Sequence, residues 1–69
     1  MSEIGIGPAM LRNYVRSRPG DLITAADVAA ALGWTEDLAD GMLRILAQDR
    51  GFGELTERQG GWVYWPPGH

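Results

Sequence analysis

The side chains that could take part in catalysis are few and scattered in this chain. It contains no cysteine and a single histidine, His69, so the common pairing of a nucleophile with a base is missing. Ser2 and Ser17 have no base near them in sequence. The carboxylates fall at expected helix ends and in an expected hairpin, without the pairing that general acid–base catalysis needs. We therefore expect a protein that is not an enzyme and that holds no cofactor.

Metal sites and membrane contact are also not expected. Without cysteine the chain has neither disulfides nor thiolate ligands, and one histidine at position 69 cannot build a zinc site. No apolar run approaches the roughly 20 residues that span a bilayer. The N-terminus has neither the basic segment nor the apolar core of a signal peptide. The sequence predicts one cytoplasmic domain with no metal, no membrane contact and no small-molecule ligand.

The charge balance of the chain is acidic, with a net charge of −3, and all six basic residues are arginine. A protein that neutralises phosphates is usually basic on at least one face, so duplex DNA is the less favoured partner. The exclusive use of arginine is typical of a GC-rich coding genome, of bacterial or phage origin. Arg12 and Arg16 lie four residues apart, with Arg18 just beyond. They form either a solvated surface or a small basic patch for phosphate or an acidic partner.

Two helices joined by a very short turn are predicted to organise the chain. Thr24 is a good N-cap, and Asp27 lies three residues later, as in a capping box. Ile23 before the cap can pack on Val28 as a hydrophobic staple. Gly33 supplies the left-handed residue that ends this helix.

The next helix is predicted from a cap at Thr35 to Arg50, with Gly51 ending it. Gly41 in its middle costs up to about 1 kcal/mol relative to alanine. It therefore indicates the close approach of another backbone, either that of the preceding helix or that of a partner. The large apolar residues of this helix predict a buried stripe of Leu38, Met42, Ile45 and Leu46, with Leu43 beside it.

The flanking elements follow from apolar spacing and from glycine and proline. A first helix is predicted from Pro8 to about Arg18, with an apolar stripe, and Asp21–Leu22–Ile23 is predicted as a minimal strand. Two strands, Glu54–Arg58 and Trp62–Trp65, are predicted around Gln59–Gly60–Gly61. The stripe of the first helix consists of Met10, Leu11, Tyr14 and Val15.

This order of elements over Pro8–Pro66 resembles the winged helix-turn-helix family. Ala29 precedes the turn residue Gly33 by four, and the segment GFGELTERQGGWVYW resembles the wing of that family. The resemblance implies an α+β fold of three helices, a short strand and a C-terminal β-hairpin wing. It places this domain at residues 8–66, between a flexible arm at 1–7 and a tail at 67–69. The inward positions of the motif are Val28, Leu32, Trp34, Ala39 and Met42.

In DNA-binding members of the family, exposed residues early in the third helix reach the bases. The matching positions here carry three acids and one arginine, and carboxylates beside phosphates repel a duplex. Capping and solvation account for Glu36 and Asp37, but less well for Asp40. The resemblance therefore favours a use of the fold in protein recognition. The recognition-helix surface consists of Thr35, Glu36, Asp37, Asp40, Gly41 and Arg44.

The predicted last strand is rich in aromatic residues that alternate between its two faces. Either Val63 with Trp65, or Trp62 with Tyr64, covers the helices, and the other pair faces outward. Exposed aromatic residues are enriched at interface hot spots, although all three aromatics could instead close a small core. The candidate wing surface consists of Arg58, Gln59, Trp62, Tyr64 and Trp65.

We expect a non-catalytic regulatory or interaction module that binds a protein partner through the acidic third helix and the aromatic wing, with homodimerisation as one form. The alternative is a DNA-binding transcriptional regulator acting as a dimer through the helix-turn-helix. Arg44 is then the residue able to bind guanine, and Arg12, Arg16 and Arg18 contact the DNA backbone. A third hypothesis is a component that functions only inside a larger complex.

Overall fold

The computed structural model describes residues 6–68, and it contains three helices and one three-stranded antiparallel sheet. This α+β layout with a C-terminal hairpin is that of a winged helix-turn-helix, which confirms the predicted fold class. Within residues 6–68 no helix combines the length and the apolarity needed to cross a membrane. The elements are α1 (Ile6–Arg16), β1 (Leu22–Thr24), α2 (Ala25–Leu32), α3 (Glu36–Ala47), β2 (Glu54–Arg58) and β3 (Gly61–Trp65).

The helix-turn-helix forms as its local sequence predicts. The Thr24 hydroxyl accepts a hydrogen bond from the backbone N–H of Asp27 at 3.0 Å, and the Asp27 carboxylate accepts one from the backbone N–H of Thr24 at 3.1 Å. This capping box satisfies two donors that the start of α2 would otherwise leave unpaired. Gly33 ends α2 in the left-handed region, at φ 72°. Thr35 then caps α3 by accepting from the backbone N–H of Leu38 at 3.2 Å.

The first helix lies slightly earlier in the chain than predicted. It begins at Ile6, so Ile6 and Gly7 belong to α1 and not to the arm assigned to residues 1–7. Proline is tolerated within the first turn, where a backbone N–H has no helical partner, and Pro8 therefore does not mark the first position. The helix ends at Arg16, two residues before the predicted end. The predictions for residues 1–5 and for His69 lie outside the described residues.

The third helix ends at Ala47, three residues before the predicted end at Arg50. Beyond it, the Asp49 carboxylate accepts a hydrogen bond from the backbone N–H of Gly51 at 3.1 Å. Such a local side-chain bond gives the backbone an alternative to the helical pattern, which explains the early end.

Strand β3 lies at the centre of the sheet, in the order β1-β3-β2. The predicted pairing of the first short strand with the hairpin is confirmed, although that strand runs from Leu22 to Thr24. The alternation of β3 turns Trp62 and Tyr64 toward the helices, where both are buried. With these aromatics, the core consists of Leu11, Val15, Ile23, Val28, Ala29, Ala39, Leu43, Leu46, Phe52 and Leu55.

Tyr64 joins the sheet to the segment that follows α3. Its hydroxyl donates a hydrogen bond to the backbone carbonyl of Phe52 at 2.7 Å, and both residues are buried. The two ring centroids are 4.6 Å apart at an interplanar angle of 30°. Gly53 lies against Tyr64, since a Cβ at that position would stand 2.8 Å from Cε1 of the Tyr64 ring, as well as 2.6 Å from the backbone carbonyl oxygen of Trp65. The side chain of Tyr64 therefore requires a glycine next to Phe52.

We predict that Tyr64→Phe lowers the free energy of unfolding by about 1–3 kcal/mol, because the buried carbonyl of Phe52 loses its donor. Tyr14→Phe is the matched control: its hydroxyl accepts from Arg18 at 2.9 Å in an exposed position. The control should change stability by less than about 0.5 kcal/mol. Urea unfolding followed by circular dichroism measures both variants. Equal losses for the two would contradict the assigned role of Tyr64.

Candidate functional site

The buried face of α3 differs from the one that the sequence predicts. Leu38 is 49% exposed and Ile45 is 66% exposed, so these two residues do not form part of the core. The residues of α3 that are buried are Ala39, Leu43 and Leu46. The predicted stripe and the residues that are in fact buried both have helical spacing. The small Ala39 faces inward, as the family pattern implies. The predicted stripe is therefore wrong for Leu38 and Ile45, whose side chains lie at the surface.

These exposed residues border a groove between the start of α1 and the length of α3. Its volume is about 570 Å³, and all but two of its lining residues are apolar or glycine. The two exceptions, Arg12 and Asp49, lie 3.6 Å apart and balance each other in charge. The groove can therefore receive an apolar group without leaving a charge unpaired. Its other lining residues are Gly7, Pro8, Leu11, Trp34, Leu38, Met42, Ile45 and Leu46.

Four residues of α3 form a diamond at the outer edge of the groove: Leu38, Gly41, Met42 and Ile45. Residues at positions i, i+3, i+4 and i+7 are neighbours on one helix face, and four such residues make the hole that receives a side chain in helix packing. Apart from the adjoining backbone of α3 itself, no atom of residues 6–68 would lie within 4 Å of a Cβ at Gly41. Of the two alternatives predicted for Gly41, the close approach of α2 is therefore excluded, and the approach of a partner stays a prediction. We call these four residues the α3 seam; Leu38, Gly41 and Ile45 are exposed, and Met42 is half-buried against the core.

The predicted recognition-helix surface is brought together beside the seam. Glu36, Asp37 and Arg44 are exposed, and Asp40 is partly exposed. Arg44 Nε donates to Asp40 Oδ2 at 3.0 Å, and this bond, with the nearby carboxylates of Asp40 and Glu57, raises the pKa of Arg44 above its usual value. Thus the one cation on this surface is already bonded to one of its acids, and the surface is acidic.

Arg12, Arg16 and Arg18 do not form an unoccupied basic patch. Each makes a contact within the chain, and Arg18 also donates to the hydroxyl of Tyr14. Exposed pairs of this kind contribute little to stability, but they place a carboxylate or a ring beside each guanidinium. The contacts are Arg12 Nη2 with Asp49 Oδ2 at 3.6 Å, the Arg16 guanidinium with the Phe52 ring centroid at 5.1 Å, and Arg18 Nε with Asp21 Oδ2 at 3.8 Å.

The wing contributes less surface than predicted. Trp62 and Tyr64 are buried in the core, so they are not interaction residues as the candidate wing surface proposed. The outward pair is Val63 and Trp65, of which Trp65 is 39% exposed. The Trp65 ring covers Gly20, where a Cβ would stand 3.0 Å from it. The side chain of Trp65 is therefore partly packed against the rest of the domain.

The tip of the wing is a two-residue turn between Arg58 and Gly61, which are paired across the hairpin. Gln59 has φ 45° and Gly60 has φ 82°. Positive φ at both central residues is the conformation of the type I′ turn, which matches the twist of a hairpin. Arg58 and Gln59 are exposed there, as predicted, at the end of the hairpin.

Sequence reasoning missed the groove because it assigned its lining residues to the core. The available signal was that α3 is apolar over more of its circumference than one buried face requires. Ala39, Leu43 and Leu46, with the half-buried Met42 and Ala47, make the contact of α3 with the core. The remaining large apolar residues of the helix, Leu38 and Ile45, are the excess that marks a second contact surface.

Among residues 6–68, no three His, Cys, Asp or Glu side chains come together to hold a metal ion. Comparisons of the chain with protein-family models, with curated proteins and with solved structures give no match.

We predict that Gly41→Ala raises the free energy of unfolding by up to about 1 kcal/mol, because alanine favours a helix interior and meets no neighbouring atom at this position. For a domain of this size, that corresponds to a rise of about 4–8 °C in Tm. Gly53→Ala is the contrasting variant. It should destabilise, since Gly53 has φ 138° and a Cβ there would collide with the backbone. Thermal unfolding at low protein concentration measures both; a loss of stability in Gly41→Ala would indicate an unseen contact at that residue.

Proposed function

We propose that this chain is a non-catalytic protein-interaction module and that α3 carries its binding surface. The observation that supports the proposal is the exposure of Leu38 and Ile45 over an apolar groove. A single exposed leucine needs no explanation, but contiguous apolar surface around a concave site is characteristic of interaction sites. Groups of this kind gain free energy when a partner removes them from water.

The charges beside the groove favour a protein over a nucleic acid. The carboxylates of Glu36, Asp37 and Asp40 lie on the helix that would enter the major groove in a DNA-binding winged helix. In a protein interface, such charges at the rim orient the partner, because each carboxylate favours a position that faces a cation. The apolar groove then supplies most of the binding free energy, while the acids select which surface is admitted.

In the proposed interaction, the partner contacts α3 and not the aromatic wing. Because Trp62 and Tyr64 are buried, the aromatic wing contributes Trp65 and the exposed tip at most. The interaction surface is therefore the groove, the seam and the acids of α3. A module of this kind acts by occupying a surface of a larger assembly or by bringing two chains together.

The test is affinity capture from a lysate of the native host with quantitative mass spectrometry of the eluate. We predict that a protein partner is retained by the wild type and reduced at least about 10-fold by Ile45→Gln, as expected when a central apolar contact is lost. Leu22→Gln is the matched control, since Leu22 is 43% exposed and lies on β1, outside the groove. The control should retain the partner at the wild-type level.

Nucleic acid in the same eluate tests the DNA-binding alternative. Under the proposed function, low-salt gel shifts with duplex DNA show no binding that depends on α3. Binding that is tight, falls steeply with salt and is lost in Arg44→Ala would contradict the proposal, because phosphate contacts produce that salt dependence. Recovery of equal amounts of every protein with wild type and Ile45→Gln would also contradict it.

A further inference from the structure

We infer that the occupant of the groove is a second copy of this chain, bound by antiparallel pairing of α3 with α3 about a two-fold axis near Gly41. This inference rests on the proposed function, and it names the partner. In a two-fold interface the same surface of each copy contacts that of the other, so the surface must be complementary to itself. The apolar residues, the glycine and the charges of α3 each meet that requirement.

The apolar residues of the seam are placed symmetrically along the helix. Leu38 precedes Gly41 by three residues, and Ile45 follows it by four. In an antiparallel pair with its axis near Gly41, Leu38 of one copy therefore lies within one residue's rise, about 1.5 Å, of the level of Ile45 of the other. Each of these side chains reaches the groove of the facing copy, where Pro8 and Trp34 line the wall. The two most exposed apolar residues of α3 are thus buried together.

Gly41 explains how two helices come close enough for these contacts. It stands at the centre of the exposed face, and within residues 6–68 no other part of the chain fills the space left by its missing side chain. A glycine at a helix crossing lets the two backbones approach, although the same residue weakens the isolated helix. The uncovered glycine in α3 is therefore accounted for by a facing helix.

The charges that flank the seam are complementary in the antiparallel arrangement. Asp37 precedes Gly41 by four residues and Arg44 follows it by three, so Asp37 of one copy also lies within about 1.5 Å of the level of Arg44 of the other. Arg44 then stands between its own Asp40, at 3.0 Å, and the facing carboxylate. In a parallel two-fold pair, each flank of one helix faces the opposite flank of the other, so Asp37 and Arg44, which lie seven residues apart on one flank, would not meet. The charge pattern therefore selects the antiparallel orientation.

Pairing of this kind makes α3 unavailable to DNA, because the exposed face of the helix is covered by its copy. The inferred dimer is therefore different from a DNA-binding winged-helix dimer, which leaves both third helices open for two half-sites. Glu36 lies away from the seam and stays at the surface of the dimer.

Sedimentation equilibrium of the full chain tests the inference. We expect a monomer–dimer equilibrium in which Ile45→Gln raises the dissociation constant at least about 10-fold, since each dimer loses the contact twice. Leu22→Gln should leave the constant unchanged. Gly41→Gln is the sharpest variant: it should weaken association by a similar factor while the monomer folds at least as stably, because the site is open and glutamine favours helix.

Charge reversal tests the orientation. Asp37→Arg and Arg44→Asp should each weaken the dimer, by about 2-fold to 5-fold for exposed pairs, and the double variant should recover the wild-type constant. In a parallel dimer, or in one that does not use α3, the double variant would show no recovery. Arg58→Asp, which changes the same charge at the wing tip, is the control and should have no effect.

Crosslinking tests the position of the axis. The chain contains no cysteine, so each single cysteine variant has one thiol per copy. Gly41→Cys should form an intermolecular disulfide on oxidation, because the two Cβ atoms meet at the axis, whereas Leu22→Cys should remain reduced under the same conditions.

A chain that stays monomeric up to about 1 mM would overturn the inference. So would a dimer that Gly41→Gln and Ile45→Gln leave intact. A monomeric chain that still captures a host protein through Ile45 would overturn the second copy as the occupant and leave the proposed function standing. A monomer that binds duplex DNA through Arg44 would overturn both.

Discussion

Strand β3 is the constraint on which the rest of the structure depends. It is hydrogen-bonded on both sides, to β1 and to β2, so its register fixes the whole sheet. That register turns Trp62 and Tyr64 toward the helices and leaves Val63 and Trp65 on the other face. The hydroxyl of Tyr64 then holds the loop after α3 through the carbonyl of Phe52. The position of α3, and of the surface it exposes, follows from these contacts.

The fold was predictable wherever a few neighbouring residues decide the structure. The capping box at Thr24, the left-handed Gly33 and the cap at Thr35 each act within four residues, and all three form as predicted. The candidate site was not predictable in the same way. Leu38 and Ile45 have the spacing of a core stripe, and only the packing of α2 and the sheet decides that Ala39 and Leu43 take that place. Likewise, the sequence does not distinguish the pair Trp62 and Tyr64 from the pair Val63 and Trp65. The register of the sheet decides which pair faces the helices.

The sequence also predicted the acidity of α3 better than it predicted the use of the arginines. Charge is read directly from residue types, so the carboxylates of Glu36, Asp37 and Asp40 lie on the surface as expected. The pairing of a guanidinium depends on which elements meet. Arg12 reaches Asp49 only because α1 crosses the end of α3, and Arg16 covers Phe52 only because the loop before β2 folds back. The predicted basic patch is thereby divided into separate, locally balanced contacts.

The central place of β3 has a consequence for how the protein is made. Strand β3 completes the sheet and is the last of the described elements to be synthesised. Strand β1, at Leu22–Thr24, therefore has no partner until residues Gly61–Val63 have been added to the chain. Until then α1, α2 and α3 can contact one another, but the side of the core that Trp62 and Tyr64 cover is open to water. Pairing across some forty residues must therefore follow synthesis of the hairpin. A chain that ends before Trp62 therefore lacks both the strand that joins β1 to β2 and two aromatic residues of the core.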